Sequence, residues 1–409
     1  MSVAIYIIGG GASGLAAARC LEENGFASII LEATDRLGGR LRTDNYKGYN
    51  LDYGFQVLLT AYPSVRKYIN FKELETVHFE PGALLFKDGK QSKIGDPLRK
   101  LSFLLPTIAS PAGSLKDKYL VFKLSRELIS QKTESIFKGS RKTTLAFLQE
   151  YGFSNRIIEN FFKPFFTGIF LEDKLATPAE MFCFVYKMFS TGYAALPYGG
   201  IKDVAENLSK PLKNTTIKLS AKVLAIENNT IVLEDRSTLK ADYIITAADI
   251  SVINNSNQPT AVHWKSCTTL YFTTAKRYIK ESIIGLVTDG NALINNICYP
   301  EPATADTAKG HLLSVTVVRQ HNLADKELIA AVENELKIHC GIVTESFLKL
   351  YHIQKALPDL ATLCYPEKPV KAGQHLYLAG DHLANGSLDA ALLSGEVAAK
   401  AVIEAIGNN

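Results

Sequence analysis

The spacing of apolar residues changes several times along the chain, and each change predicts an element. Residues 3–8, VAIYII, form an unbroken apolar run that stops at glycine, the pattern of a short buried parallel strand. The following LAAARCLEENG has helical composition and ends at Gly25, a residue suited to a C-cap. A second run, SIILEA, reads as a strand ending on Glu32. Between 96 and 190 apolar positions recur at helical spacing, clearest in DKYLVFKLSRELI and RIIENFFKPFFTGIF. The stretch IKLSAKVLAIENNTIVLEDRSTLKADYIITAAD alternates as short strands parted by Asn-Asn and Asp-Arg turns. Residues 255–355 mix strands such as TTLYFTT and HLLSVTVVRQ with one helix, DKELIAAVENELKIHC. The chain closes on a helix nearly bare of large side chains. Ser387, Ala390, Ala391, Ser394, Gly395, Ala398 and Ala399 place small residues on successive turns, so something is expected to lie close to that backbone.

Chemistry enters at the first turn. Gly9, Gly11 and Gly14 form G-x-G-x-x-G between the first strand and its helix, and Glu32 ends the next strand 18 residues beyond Gly14. Strand, glycine turn, helix, strand and acid is the order of a dinucleotide fingerprint. The glycines allow a tight turn and bring backbone N–H groups to a pyrophosphate at the helix N-terminus, while Glu32 can accept from a ribose.

Composition narrows the setting. A chain of 409 residues with 47% hydrophobic and 21% charged residues is of ordinary globular make-up and long enough for two domains. A net charge of +4 does not suggest nucleic-acid binding. The six cysteines form no C-x-x-C pair, and no signal peptide is visible, so reduced thiols in a cytoplasmic protein are expected. The opening apolar run breaks too early to span a bilayer. No metal-ligand spacing is found among the eight histidines. Residues 96–150 are different: ten Lys/Arg stand against five acids, beside the apolar LSFLLPTIASPAG. Either a solvated helical face or a peripheral contact with an anionic membrane would account for that segment.

At DRLGGRLRT, residues 35–43, the sequence resembles the flavin-dependent amine oxidase superfamily, which includes monoamine oxidases, protoporphyrinogen oxidases and phytoene desaturases. The resemblance implies non-covalent FAD as cofactor. It assigns Ala12 and Ser13 to the phosphate turn with the three glycines, and Glu32 with the adjoining Ala33 to the ribose. Gly38, Gly39 and Arg40 would follow the pyrophosphate, where the planar guanidinium can bridge phosphate oxygens. LDYGFQV would set Gly54, Phe55 and Gln56 against the isoalloxazine. Val223 would meet the adenine through its backbone. Gly380 and Asp381 would hold the ribityl and phosphate region, and Gly386, Ser387 and Leu388 the pyrimidine edge. The implied fold is α/β, a Rossmann-type FAD-binding domain with an inserted α+β substrate domain of mixed sheet plus helical cap. Its FAD-binding parts would be 1–75, 195–250 and 365–409, and its substrate parts 76–194 and 251–364.

The same resemblance implies an FAD-dependent oxidoreductase that removes a hydride or a two-electron equivalent from a small lipophilic substrate. The phytoene desaturase and protoporphyrinogen oxidase branch fits best. Amine oxidases tend to carry an aromatic in the final motif, but this one reads NGSLDAALLSG; Ile353 stands where a tryptophan often precedes A-x-P. An amine oxidase acting on C–N bonds and a non-redox flavin-dependent isomerase are the alternatives. Lys265 is the candidate for the lysine that many amine oxidases hold near the flavin, against an ordinary strand-end lysine; no catalytic residue is assigned. With only one nucleotide fingerprint in the chain, a built-in NAD(P)H domain is not expected, and the electron acceptor stays open. The aromatics of ENFFKPFFTGIF and EMFCFVYKMF fit a helical core better than a cavity wall.

Overall fold

Apolar runs that are too short to stand alone become a sheet by pairing with distant partners. In the computed structural model, which describes residues 3–139, 142–248, 262–304 and 310–407, the strand Ile5–Ile8 lies between Ile29–Leu31 and Tyr243–Thr246. All three run parallel, flanked by Thr216–Lys218 on one side and Leu376–Leu378 on the other. Val370–Lys371 adds an antiparallel edge. Every residue of Ile5–Ile8 and Tyr243–Thr246 is buried, which is why these strands read as unbroken apolar runs. One face of this sheet packs on the helices Ala12–Glu23 and Leu388–Gly407. The other is covered by the small antiparallel sheet of Val223–Glu227, Thr230–Leu233 and Thr238–Lys240.

A second, seven-stranded sheet runs in the order Ser346–Pro358, Trp264–Thr274, His311–Val317, Ile294–Cys298, Ile284–Val287, Gly82–Lys87, Lys90–Gly95. Its pairings are antiparallel except Ile284–Val287 with Gly82–Lys87. The helix Asp325–Cys340 buries Leu328, Val332 and Leu336 against one face. Over the other face lies a cap that includes Leu104–Ala109, Leu115–Ser130, Lys163–Phe170 and Ala179–Thr191. The α/β architecture with a mixed second sheet and helical cap is thus the one the sequence suggests. The helical reading of RIIENFFKPFFTGIF needs one amendment: Ile158–Phe162 is a π-helical turn, within which Phe161 lines the cavity and Phe162 is buried core.

The neighbour that the small-residue face of Leu388–Gly407 was expected to have is for the most part another helix. A Cβ on Gly395 would fall 2.0 Å from the Ser13 carbonyl oxygen, so this helix lies against the backbone of Ala12–Glu23. Helix meets helix along most of that face, and only the first turn reaches the cavity described below. The expected boundary near 250 and Arg141 lie outside the described residues. Among the described residues no helix is long and apolar enough to cross a membrane.

Candidate functional site

A cavity of about 1240 Å³ runs from the C-terminal ends of the parallel strands into the space between the seven-stranded sheet and the cap. Its first part is built of backbone. The helix Ala12–Glu23 starts at Gly11 with no side-chain cap and no acid in its first turn. Its leading N–H groups are therefore left for an anion. A Cβ on Gly11 would meet nothing within 4 Å, because that position faces the open cavity. Glu32 is buried at the rim. Its carboxylate accepts from the N–H of Gly10 at 2.7 Å, and from the N–H and hydroxyl of Thr34, each at 2.9 Å. A carboxylate has about four lone-pair sites, so one is spare for a ligand hydroxyl.

Arg40 stands opposite. Its guanidinium donates to the buried Asp381 carboxylate and, at 3.4 Å, to the Ala356 carbonyl. Gln56 donates to the Arg40 carbonyl at 2.9 Å. The Ser394 hydroxyl accepts the Gly380 N–H at 2.9 Å, holding the Gly380–Asp381 corner on the closing helix. Ser387 caps that helix, its hydroxyl accepting the Ala390 N–H at 3.0 Å.

Gly9, Gly11, Ala12, Ser13, Glu32, Gly38, Gly39, Arg40, Gly54, Phe55, Gln56, Gly380, Asp381, Gly386, Ser387 and Leu388 all line this one cavity. Gly14, Ala33 and Val223 do not. A Cβ on Gly14 would sit 2.0 Å from the Gly9 carbonyl oxygen, so the contact it makes is between helix and turn. Ala33 is exposed, and the Val223 side chain is buried beneath the small sheet. Lys265 is on the wall, 3.4 Å from the Thr177 hydroxyl and 3.5 Å from the Asp359 carboxylate.

Several wall residues escaped the sequence reading. Trp264, the single tryptophan, lies under the Arg40 guanidinium, 5.2 Å from ring to charge. Asp52, next to the wall residue Tyr53 but not itself in the lining, accepts from Thr43 at 2.6 Å and from the Ile201 N–H at 2.8 Å; burial pushes its carboxyl up to about 6. The aromatic helices divide their side chains: Phe161, Phe165 and Phe189 line the inner chamber, while Phe162, Phe182 and Phe184 are fully buried core. Core alone, the preferred reading, is therefore half of the outcome. On the sheet side of the chamber, buried Asn295 donates to Asn296 at 3.0 Å and Asn296 to Thr316 at 3.3 Å. The signal was there: two adjacent amides in a strand reading INNIC.

The family model for flavin-containing amine oxidoreductases matches residues 12–403, from the start of the first helix to the last. The chain belongs to this family. It is 24% identical to polyamine oxidase 1 of Zea mays over 277 residues, 61% of this chain and 53% of that protein. It thus spans about half the length of that curated relative. Among solved structures, a protoporphyrinogen-oxidase-like protein from Exiguobacterium sp. 255-15 superposes with a TM-score of 0.70 at 18% identity, over 98% of this chain and 99% of that one. A putrescine oxidase double mutant gives 0.72 at 16% identity, over 99% of each chain. At such identities the likeness is one of fold.

A member of the family carries a flavin, and the dinucleotide turn takes it as non-covalent FAD. The residues present fit that group. An uncapped helix N-terminus, an acid with a spare lone pair and a guanidinium face one cavity, as a pyrophosphate flanked by a ribose requires.

Proposed function

We propose that the protein is an FAD-dependent oxidoreductase acting on a lipophilic substrate that bears a neutral polar group. The carrying observation is the inner chamber: aromatic and aliphatic walls, with the buried amides of Asn295 and Asn296 as a neutral polar spot. Glu80, an acid on the same wall, is already engaged, accepting from Lys100 at 2.5 Å with Lys93 3.9 Å away. An amine cation would have to compete for a carboxylate that two lysines attend. The cavity volume exceeds the range of about 300–1000 Å³ usual for one ligand, leaving room for a second molecule beside FAD.

FAD, when bound, supplies the two-electron acceptor. The chain's own part is to orient and to keep water out. Phe161, Phe165 and Phe189 exclude solvent and grip an apolar body. The Asn295–Asn296–Thr316 chain aligns a carbonyl or hydroxyl by hydrogen bonding. No acid or base needs to be spent on the oxidation itself.

An anaerobic absorbance titration of the flavin band, with polyenes, a porphyrinogen and a panel of amines, tests this reading. Bleaching by a lipophilic compound is expected, and Asn296→Leu should raise the concentration needed about tenfold, the loss of one buried hydrogen bond, without changing flavin content. Bleaching by amines alone would overturn it in favour of C–N oxidation. Bound FAD that no compound reduces would shift the case to an isomerase.

A further inference from the structure

The cap carries an inverted pair of helices. Among the described residues, nine of the seventeen large apolar side chains that face solvent lie between Leu98 and Ile129, so the exposure is concentrated in one place. The helix Leu104–Ala109 buries none of its residues. It is held down by its polar side: the Thr107 hydroxyl bonds the N–H and carbonyl of Gly95, both at 3.0 Å, and Lys118 donates to the Ile108 carbonyl at 2.7 Å. Leu101, Leu105 and Ile108 are left to solvent, the first two at 80% and 76%. A surface helix of a water-soluble protein has the reverse arrangement.

The helix Leu115–Ser130 repeats the feature. Leu120, Leu124 and Leu128 are buried, while Leu115, Tyr119, Phe122, Arg126 and Ile129 face out at alternating steps of four and three. At about 100° per residue the two stripes lie about 180° apart, so this helix is apolar on both sides. Lys187 secures its end by donating to the carbonyls of Leu128, Ile129 and Gln131. The outward stripe is thus presented by a fixed element.

Charge accompanies the apolar groups. Between 98 and 129 stand Arg99, Lys100, Lys116, Lys118, Lys123 and Arg126 against two acids. Both acids are engaged: Asp117 is buried under bonds from Ser114 and Ser154, and Glu127 accepts from Tyr151 at 2.8 Å. The same ledge is the cavity mouth, since Leu98, Leu104, Ile108, Leu115 and Phe122 both face solvent and line the cavity.

We infer that this ledge docks on an anionic lipid bilayer, so that a lipophilic substrate passes from the membrane into the chamber without crossing water. Apolar side chains enter the acyl boundary and Lys116 and Arg126 meet lipid phosphates, while Lys100 is held by Glu80 and Arg99 and Lys118 by backbone carbonyls. A two-fold contact between copies would instead oppose two positive faces. The inference deepens the lipophilic-substrate reading, and its test reads binding, not turnover.

The FAD-loaded protein would be sedimented with phosphatidylglycerol/phosphatidylcholine vesicles and with phosphatidylcholine alone. Pelleting with the anionic vesicles, weakened by salt, is expected. Leu101→Glu with Leu105→Glu, outside the cavity lining, should reduce partitioning at least tenfold while flavin absorbance stays at the wild-type ratio. Lys116→Glu with Arg126→Glu should reduce it at least about twenty-five-fold, at roughly fivefold for each cation lost. Wild-type protein that stays in the supernatant, or variants that pellet equally well, would overturn the inference. So would a wild-type dimer that Leu105→Glu makes monomeric, which would identify the ledge as an interface between copies. Vesicle binding by a protein whose flavin only amines reduce would leave the docking intact and remove the lipophilic substrate.

Discussion

Arg40 and Asp381 are 341 residues apart in sequence and form an ion pair at the cavity rim. Asp381 is almost wholly buried, whereas Arg40 is partly open to solvent and stacked on Trp264. The pair is costly to break, because removing the guanidinium leaves a buried carboxylate unmatched. Arg40→Ala should therefore weaken FAD retention about 10- to 100-fold, the range for a lost charged hydrogen bond. The ratio of flavin to protein absorbance after purification measures it. A variant that purifies with full flavin would remove Arg40 from the phosphate. Each member of the pair was legible within its own local motif. Their contact was not, nor was the tryptophan beneath, since a lone Trp carries no spacing that local periodicity can read.

At the scale of elements, the closing helix is the instructive case. Its run of small residues correctly announced a close approach, but composition could not say to what. A helix backbone and a cofactor ask for the same absence of side chains, and Gly395 against Ser13 shows that the helix takes most of the face. The first turn of this helix also holds a titrating group. Asp389 is buried, accepts from the Ser64 N–H at 2.7 Å, and its carboxyl is pushed by burial from 3.8 up to about 6. The folded state thus holds this proton more tightly than the unfolded chain. Its contribution to stability is fully present below about pH 4 and is lost as pH rises through about 6. In Asp389→Asn that dependence should vanish. Thermal melts should then show the variant matching wild type near pH 4 and exceeding it at pH 8. Equal pH profiles for the two proteins would show that Asp389 titrates normally.

At the scale of the whole molecule, the cavity joins chain segments from both ends and the middle, so its ligand should tie the fold together. Deflavinated protein given FAD at about a hundred times its Kd should gain about 2.7 kcal/mol by mass action. For 409 residues this is a rise in Tm of about 3 °C. Scanning calorimetry with and without FAD checks it; an unchanged Tm would mean that the folded protein does not bind FAD. Sequence by itself determined the dinucleotide turn, the acid after the second strand and the Gly-Gly-Arg. These are features of consecutive residues, and backbone geometry over a few positions dictates their chemistry. Only the tertiary structure decided which aromatics line the chamber and which fill the core, that Asn295 and Asn296 are its neutral polar spot, and that one stripe of the helix Leu115–Ser130 is left without a partner. Those outcomes depend on which surfaces meet when distant segments pack, and a period of 3.6 residues is the same whether its apolar face finds a partner or not.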